Sequence, residues 1–298
     1  MFTLDHTPEI GKPETLAEGL RVVTAPNASP MTFTGTRSYI LGEGEVAVID
    51  PGPDDPAHFA ALQAALKGQR VSHIIVTHSH LDHSPLAARL ARATGAPVLG
   101  YGPSGAGMSA VMQPLQGLEG GEGVDPDFAP DVRVRDGDII NGTGWALEAV
   151  HTPGHMSNHL CFAWEDGLFS GDHVMGWSTT LVSPPHGDLT RFMASLDKLK
   201  ARAAPRYYPG HGAPLDEAHT MLDHQIRHRK NREAQILEAL GEETIPAITA
   251  RIYQGLDARL LPMAARNVFA HLIDLQSRGI VQSDAQPSFK GRYRLVGS

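Results

Sequence analysis

The chain of 298 residues contains a single cysteine, Cys161, so an internal disulfide bond is excluded. This is typical of proteins from a reducing compartment, and we expect a cytoplasmic location. No apolar run approaches the ~20 residues that a membrane-spanning helix needs. The N-terminus has neither the basic start nor the apolar stretch of a signal peptide. The sequence therefore predicts a protein that has no membrane partner.

Positive charge is also scarce, because 25 Lys and Arg residues stand against 33 Asp and Glu residues, for a net charge of -8. The chain as a whole thus lacks the basic excess of a polyanion-binding protein. The acidic excess lies in residues 1–213, whereas residues 214–298 are nearly balanced. Hydrophobic residues make up 41% of the chain and charged residues 19%, a composition that indicates a folded core rather than disorder.

Histidine is abundant, with 16 residues, and it is the commonest metal ligand in proteins. The segment THSHLDHS places four potential ligands within six residues: His78, His80, Asp82 and His83. A strand-like run (73–77) precedes the segment and a helical pattern (85–93) follows it, so a strand-to-helix loop is predicted. Four ligands at this spacing would strain one tetrahedral site, which favours two adjacent metal ions.

Three further loops carry ligand-type residues, and each follows a strand-like run. His155 lies in HTPGH, Asp172 in SGDH and His211 in YPGHG. Short β-rich runs that alternate with Gly/Pro turns and helical patterns predict a mixed α/β domain. A lone histidine or aspartate beside a glycine is usually a turn residue, but four strand-end loops that carry ligand-type residues in one chain indicate a functional role.

The motifs THSHLDH, TPGH, SGD and PGHG, in this order over residues 20–213, resemble those of the metallo-β-lactamase fold superfamily. The resemblance implies an α/β fold, specifically an αββα sandwich with two zinc ions at one edge. It assigns the first ion to His78, His80 and His155. It assigns the second ion to Asp82, His83 and His211, with Asp172 as the bridge between the ions. Asp50, in VIDPG, matches an aspartate that supports the metal loop, although a strand-end turn residue would fit the same sequence.

This ligand set implies a metal-dependent hydrolase. Two ions would lower the pKa of a bridging water, so a metal-bridging hydroxide is the expected nucleophile, with Asp82 as the catalytic residue beside it. Imidazole and carboxylate ligands favour zinc, two ions per chain, with iron or manganese as alternatives. The ligand set contains no cysteine, unlike that of β-lactamases with a cysteine ligand, and this makes β-lactam hydrolysis a less favoured activity.

The C-terminal region has a mainly helical pattern, unlike the β-rich region before it. Residues 216–240 form one long helical pattern that Gly241 ends, and a second helix is predicted over Met263–Arg278. The segments IVQS and GRYRLV then suggest a β-hairpin. Together they predict a helical, winged-helix-like domain over residues 214–298, after a catalytic domain over residues 1–213. Such a domain either contacts nucleic acid or protein, or serves as a structural cap.

Within the superfamily, HRKNREAQIL and MAARNVFAHL resemble the mitochondrial β-lactamase-like endoribonuclease group (β-lactamase-like protein 2) and its bacterial relatives. This predicts single-stranded RNA as the substrate. His159, four residues beyond His155, matches a histidine of that group. Two features depart from the pattern: Ser84 and Pro85 stand where a glycine pair is common, and the Gly- and Pro-rich segment Gly102–Asp131 has no match. That segment is interpreted either as a flap over the site or as a disordered insertion.

The alternative substrate is a small thioester or ester, as in glyoxalase II-like members of the superfamily. A lactone is less favoured, because Met175 occupies the position of a lactonase tyrosine. The basic run over residues 227–232 could bind phosphates, or it could lie on a solvated helix face that forms ion pairs with Glu233. His159 and Trp177 are the candidate substrate contacts. A third hypothesis is a non-catalytic, metal-stabilised interaction module, which the complete ligand set disfavours. A homodimer is a further prediction.

Overall fold

The computed structural model describes residues 2–118, 123–241, 243–284 and 286–297. No helix in these residues is both long and apolar enough to cross a membrane. The described chain forms two facing β-sheets, four helices that cover their outer sides, and a small C-terminal unit of two helices and three strands. This is the αββα architecture that the motifs predict, followed by the predicted winged helix.

The larger sheet has seven strands, which are hydrogen-bonded in sequence order. They are β1 (Pro13–Ala17), β2 (Leu20–Thr24), β3 (Arg37–Glu43), β4 (Glu45–Ile49), β5 (Arg70–Ile75), β6 (Val98–Gly100) and β7 (Val132–Arg133). Strands β1 to β4 pair antiparallel, and β4 to β7 pair parallel. Strand β4 reads EVAVI, a nearly continuous apolar run, because helices and the second sheet bury it on both faces.

The smaller sheet has five strands, in the order β12-β11-β10-β9-β8. They are β8 (Ile139–Gly142), β9 (Trp145–His151), β10 (Leu160–Trp164), β11 (Gly167–Gly171) and β12 (Arg206–Pro209). Its inner face meets the larger sheet in a core that includes Leu41, Ile49, Leu147, Phe162 and Phe169. Burial of this apolar surface between the sheets fixes the relative position of the strand ends that carry the candidate ligands.

Helices cover both outer faces of the sandwich. Helices α1 (Pro56–Ala65) and α2 (Leu86–Thr94) pack Leu62 and Leu90 against the larger sheet. Helices α3 (Leu189–Lys200) and α4 (Ala218–Ala239) pack Phe192 and Leu222 against the smaller one. The predicted long helix thus begins at residue 218. Before it, Leu215 exchanges two backbone hydrogen bonds with Tyr207, which keeps the preceding residues extended.

The C-terminal unit has the predicted helices and hairpin. It comprises β13 (Glu243–Thr244), α5 (Ile245–Ile252), α6 (Leu261–Ser277), β14 (Val281–Ser283) and β15 (Arg292–Leu295), with the strands ordered β13-β15-β14. Helix α4 belongs to both parts of the molecule, because Leu222 lies in the core of the smaller sheet and Ile236 lies in the core of the winged helix. The division of the chain at residues 213 and 214 stays a prediction.

The segment 102–131 is folded in its described part, residues 102–118 and 123–131, so the reading as a disordered insertion does not hold there. A single 3-10 turn spans Gln113–Leu115, and Met112 and Leu115 are buried in the winged-helix core with Phe269. At its other end, Val124 pairs with His80 of the metal loop. The segment therefore joins the C-terminal unit to the candidate site.

Candidate metal centre

The metal loop runs from the end of β5 to the start of α2, and Asp50 fixes its shape. Asp50 follows β4 directly and accepts three hydrogen bonds from the loop. Its Oδ1 lies 2.7 Å from the backbone nitrogen of Thr77, and its Oδ2 lies 2.8 Å from Thr77 Oγ1 and 2.9 Å from His83 Nδ1. These are the contacts expected of a residue that supports the metal loop.

The first group of donors comprises His78, His80, His155 and Asp172, whose donor atoms all lie within 4.8 Å of one another. The Nδ1 atom of His80 lies 2.8 Å from His78 Nε2 and 3.1 Å from His155 Nε2. A neutral imidazole carries one N–H only, so three ring nitrogens that face one point leave lone pairs directed at each other. A cation at this point would satisfy them.

The second group comprises Asp82, His83 and His211, again with donor atoms within 4.8 Å. Asp172 lies between the two groups: its carboxylate oxygens are 3.7 Å from His155 Nε2, 3.3 Å from His211 Nε2 and 3.5 Å from His83 Nε2. Its buried Oδ1 accepts no hydrogen bond from any described residue. The structure therefore places Asp172 where a bridging ligand is expected, and all seven predicted ligands lie together.

Backbone and hydroxyl groups orient these rings. The Nδ1 atom of His155 lies 2.8 Å from the carbonyl oxygen of Leu181, which can only accept, so Nδ1 carries the proton and Nε2 stays free as a ligand. His211 Nδ1 faces the carbonyl oxygen of Gly35 at 3.3 Å in the same way. Outer partners of this kind fix the tautomer and the orientation of a metal-binding histidine.

Two threonines that sequence analysis missed also hold the donors. Thr77 Oγ1 lies 2.9 Å from His78 Nδ1, and Thr36 Oγ1 donates to Asp82 Oδ2 at 3.2 Å. Thr77 precedes the THSHLDH ligands, so it could have been suspected. No motif in the sequence indicates a role for Thr36. It lies 46 positions from Asp82, and only the folded chain brings the two side chains together.

Charge in the site is arranged for a cation. Burial works against ionised carboxylates, but His83 and His211 hold the pKa of Asp82 and of Asp172 well below the usual range. Burial, together with neighbouring imidazoles, lowers the pKa of His80 to about 3, which keeps that ring neutral. Against the effect of burial, Asp82 and Asp172 in turn raise the pKa of His83 well above its ordinary value and that of His211 to about 9, so these two rings would release a proton when a divalent metal binds.

Close packing leaves no spare room around Asp172, the candidate bridging ligand. A Cβ atom on Gly210 would lie 2.3 Å from Asp172 Oδ1 and 2.7 Å from His83 Cε1, so only glycine fits at this position of the YPGHG motif. The donor chemistry, the facing ring nitrogens and the unpartnered Asp172 Oδ1 together fit two divalent ions. These ions would be held by the two groups of residues, with Asp172 shared.

Two cavities open beside this cluster. The first, of about 190 Å³, is lined by His80, Asp82, His155, Asp172 and His211 and by apolar neighbours that include Met31, Val124, Leu181, Pro184 and Pro185. The second, of about 270 Å³, shares His155 and Asp172 with the first and extends to the C-terminal unit. Gly123 and Val124 line the first cavity, so part of segment 102–131 does form a wall of the site.

The two candidate substrate contacts have different positions. Trp177 lines the second cavity and stacks on Phe33, with ring centroids 5.1 Å apart. His159 is completely buried and lines neither cavity; it lies behind the cluster, 5.1 Å from the His78 ring. Since Nδ1 of His159 lies 2.9 Å from Thr152 Oγ1, its contacts are with protein groups. In the described structure, His159 is thus separated from both cavities by protein groups, and its predicted contact with a substrate stays a prediction.

Ser84, one of the two residues that depart from the family pattern, has a defined contact. Ser84 Oγ donates to Asp125 Oδ2 at 2.6 Å and so ties the metal loop to segment 102–131.

In the basic run of α4, Arg227 and Lys230 are exposed, whereas Arg229 is buried. Glu233 pairs with Arg278 rather than with the run itself. The run therefore does not form one continuous phosphate-binding face.

Comparison with known proteins agrees with this architecture. Residues 31–211 match the model of the metallo-beta-lactamase superfamily, and residues 244–291 match the beta-lactamase associated winged helix domain. A beta-lactamase-like protein 2 homolog of Drosophila melanogaster is 30% identical, over 85% of this chain and 86% of that protein.

An atrochrysone carboxyl ACP thioesterase of Aspergillus fumigatus is also 30% identical, over 88% of this chain and 81% of that protein. Among solved structures, a metallo-beta-lactamase family protein of Thermus thermophilus superposes with a TM-score of 0.77 at 25% identity. That match covers 94% of this chain and 100% of the other.

Proposed function

Because the chain belongs to the metallo-beta-lactamase superfamily, whose members are generally metal-dependent hydrolases, we propose that it is a dinuclear zinc hydrolase that cleaves a small ester or thioester. The mixed imidazole and carboxylate donors support zinc as the metal, with iron or manganese as the alternatives. Two ions held by the cluster would supply Lewis acidity, which activates water and polarises a carbonyl oxygen.

The residues that line the first cavity favour an ester or thioester substrate over RNA. Of the described residues that line it, none is lysine or arginine, and most of those outside the donor set are apolar. Phosphate groups of nucleic acids are contacted mainly by arginine and lysine. An uncharged carbonyl compound therefore suits this wall better than a phosphodiester. The thioesterase among the relatives agrees with this choice.

The residues of this chain then have separable roles. Asp82 lines the first cavity, and its ionised carboxylate, held by Thr36, can accept a hydrogen bond from a water molecule and so orient it. Met31, Val124 and Leu181 exclude bulk water around the reacting carbonyl. His155 and Asp172 stand where the two cavities meet, so the two halves of an ester can extend to either side of the cluster.

The test compares two substrates with the same zinc-loaded protein. We expect metal-dependent release of a thiol from simple acyl thioesters, lost when the zinc is removed and in His78→Ala, and no cleavage of a fluorescent single-stranded RNA. Zinc-dependent RNA cleavage that is absent in His78→Ala, without thioester hydrolysis, would instead support the endoribonuclease function that the sequence predicts. Protein that holds its metals and cleaves neither substrate would contradict both proposals.

A further inference from the structure

The second cavity is built by both parts of the molecule. Its far wall consists of residues from the C-terminal unit: Tyr253, Leu256, Leu260, Met263, Ala264 and Asn267. Met31, Met175 and Trp177 line it on the side of the sandwich. Most of this lining is apolar, so the cavity suits an apolar group that extends away from the cluster.

One charged group lies in this apolar wall. Arg229 lines the cavity, yet its residue exposure is only 2%. Its Nη1 donates to Asn267 Oδ1 at 2.6 Å, and its Nη2 donates to the carbonyl oxygen of Thr180. Both partners are neutral, and Nε has no hydrogen-bond partner among the described residues.

Arg229 also has no counterion within the described chain, because none of the carboxylates there forms an ion pair with it. Burial lowers its pKa to about 10, which still leaves the guanidinium charged at neutral pH. A buried charge is costly unless an opposite charge compensates it. Here the compensating group can come from the cavity itself.

The cation and the metal cluster are connected through one residue. Thr180 donates from Oγ1 to the carbonyl oxygen of Asp172 at 2.9 Å, while its own carbonyl oxygen accepts from Arg229. The cavity is thus lined by the candidate metal ligands His155 and Asp172, by Arg229 and by apolar side chains.

We propose that the second cavity binds an apolar substrate segment that ends in a carboxylate, with Arg229 as the counterion of that carboxylate. A carboxylate matches the single guanidinium in charge and in its two-pronged geometry. The proposal rests on the proposed function, since it describes one side of the ester or thioester that the cluster cleaves. The C-terminal unit then determines substrate specificity in addition to covering the sandwich.

Three thioesters with six-carbon acyl chains test this. The neutral one is the hexanoyl thioester of 2-mercaptoethanol; the second is the adipic acid monothioester of the same thiol; the third is the hexanoyl thioester of 3-mercaptopropionate. The second carries its carboxylate on the acyl group and the third on the leaving group. We expect zinc-loaded protein to prefer one of these anionic substrates over the neutral one by about tenfold or more in kcat/KM, since a charge-assisted hydrogen bond contributes that much.

The sharpest variant is Asn267→Asp, which keeps the shape of the side chain and places a carboxylate beside Arg229. We expect it to fold, and we expect the ratio of kcat/KM for the anionic substrate to kcat/KM for the neutral one to fall from about ten to about one, because the new carboxylate occupies the guanidinium. Arg229→Gln should lose the preference for the anionic substrate in the same way as Asn267→Asp. The matched control is Arg227→Gln, an exposed residue on the same helix, which should keep the wild-type preference.

Equal turnover of neutral and anionic thioesters by the wild type, or a preference that survives in Asn267→Asp, would overturn the proposal. If no thioester is hydrolysed, the proposed function fails, and binding to the metal-free protein decides the inference alone. Calorimetry should then show hexanoate binding about tenfold more tightly than hexanamide to the wild type and to Arg227→Gln, but no difference in Asn267→Asp. Equal binding to the wild type would contradict the carboxylate site.

Discussion

The carboxylate of Asp50 lies 2.9 Å from Nδ1 of His83, although the two residues are 33 positions apart in the chain. The same Asp50 Oδ2 accepts from Thr77 Oγ1, and Oδ1 accepts from the Thr77 backbone nitrogen. One side chain at the end of β4 therefore fixes both the start of the metal loop and the ring of a candidate ligand. Its backbone φ of 50° lies in the left-handed region that aspartate tolerates better than most residues.

Replacing Asp50 with Asn should weaken metal binding while the fold persists. The amide keeps the size of the side chain, but its nitrogen cannot accept a hydrogen bond from His83 or Thr77. Loss of such an outer partner lowers metal affinity by about 10- to 100-fold. Competition with a chelator measures this. Asp54→Asn, at an exposed neighbour, is the control, and unchanged affinity in Asp50→Asn would contradict the supporting role.

The metal content should be close to two ions per chain, because the donors form two groups that share Asp172. Asp82→Ala should reduce the content towards one ion and abolish hydrolysis, with an unchanged circular dichroism spectrum. Elemental analysis after saturation with zinc provides the count. One ion or fewer in the wild type, or full activity in Asp82→Ala, would exclude the dinuclear arrangement.

Met112→Ala should destabilise the protein by about 2–5 kcal/mol, since truncation of a buried methionine leaves a cavity. Met112 is 2% exposed and packs in the winged-helix core, whereas its neighbour Val111 is 45% exposed. Val111→Ala is therefore the matched control and should change the thermal midpoint little. Equal midpoints for the two variants would mean that segment 102–118 contributes nothing to the core.

Acid should destabilise the fold partly through His58. Burial lowers the pKa of His58 to about 4 from the ordinary value of 6.5, so the folded state binds this proton less readily than the unfolded state does. The stability that the neutral ring contributes is complete above pH 6.5 and is lost as the pH falls towards 4.

The corresponding measurement is urea unfolding of chelator-treated protein at pH 7 and pH 5. His58→Gln can keep the hydrogen bond to Ser38 Oγ, which His58 makes at 2.8 Å. Between the two pH values, the wild type should lose about 2 kcal/mol more stability than this variant. The same loss in both proteins would show that the His58 ring is not the responsible group.

The homodimer stays a prediction, which size-exclusion chromatography tests. Single-stranded RNA as a partner is likewise a prediction, which the cleavage assay above addresses.

The sequence predicted the parts of the site that local patterns encode. His78 to His83 lie on one loop at a strand end, and the predicted strand-end loops of His155, Asp172 and His211 meet it because two packed sheets bring their edges together. The winged helix was also predictable, since α6 and its hairpin have regular spacing and clear turn residues.

The burial of Met112, Leu115 and Arg229 was not predictable in this way. Met112 and Leu115 sit in a single turn among glycines and prolines, so they show no periodicity that would mark them as buried. Arg229 stands in a basic run that reads as a solvated face, and only the contacts with Thr180 and Asn267 reveal its burial. Such contacts depend on distant segments, which a single sequence does not specify.

The candidate ligands all come from strand ends of the sandwich, whereas the far wall of the second cavity comes from the C-terminal unit. Reactivity and selectivity are thereby assigned to separate stretches of the polypeptide. None of residues 253–267 belongs to the two donor groups, so a substitution there leaves the set of candidate ligands unchanged. Two relatives with an identical metal motif can then act on different substrates. When the substrate of one relative is inferred from that of another, the residues that line this cavity are the ones to compare, rather than the histidine motif.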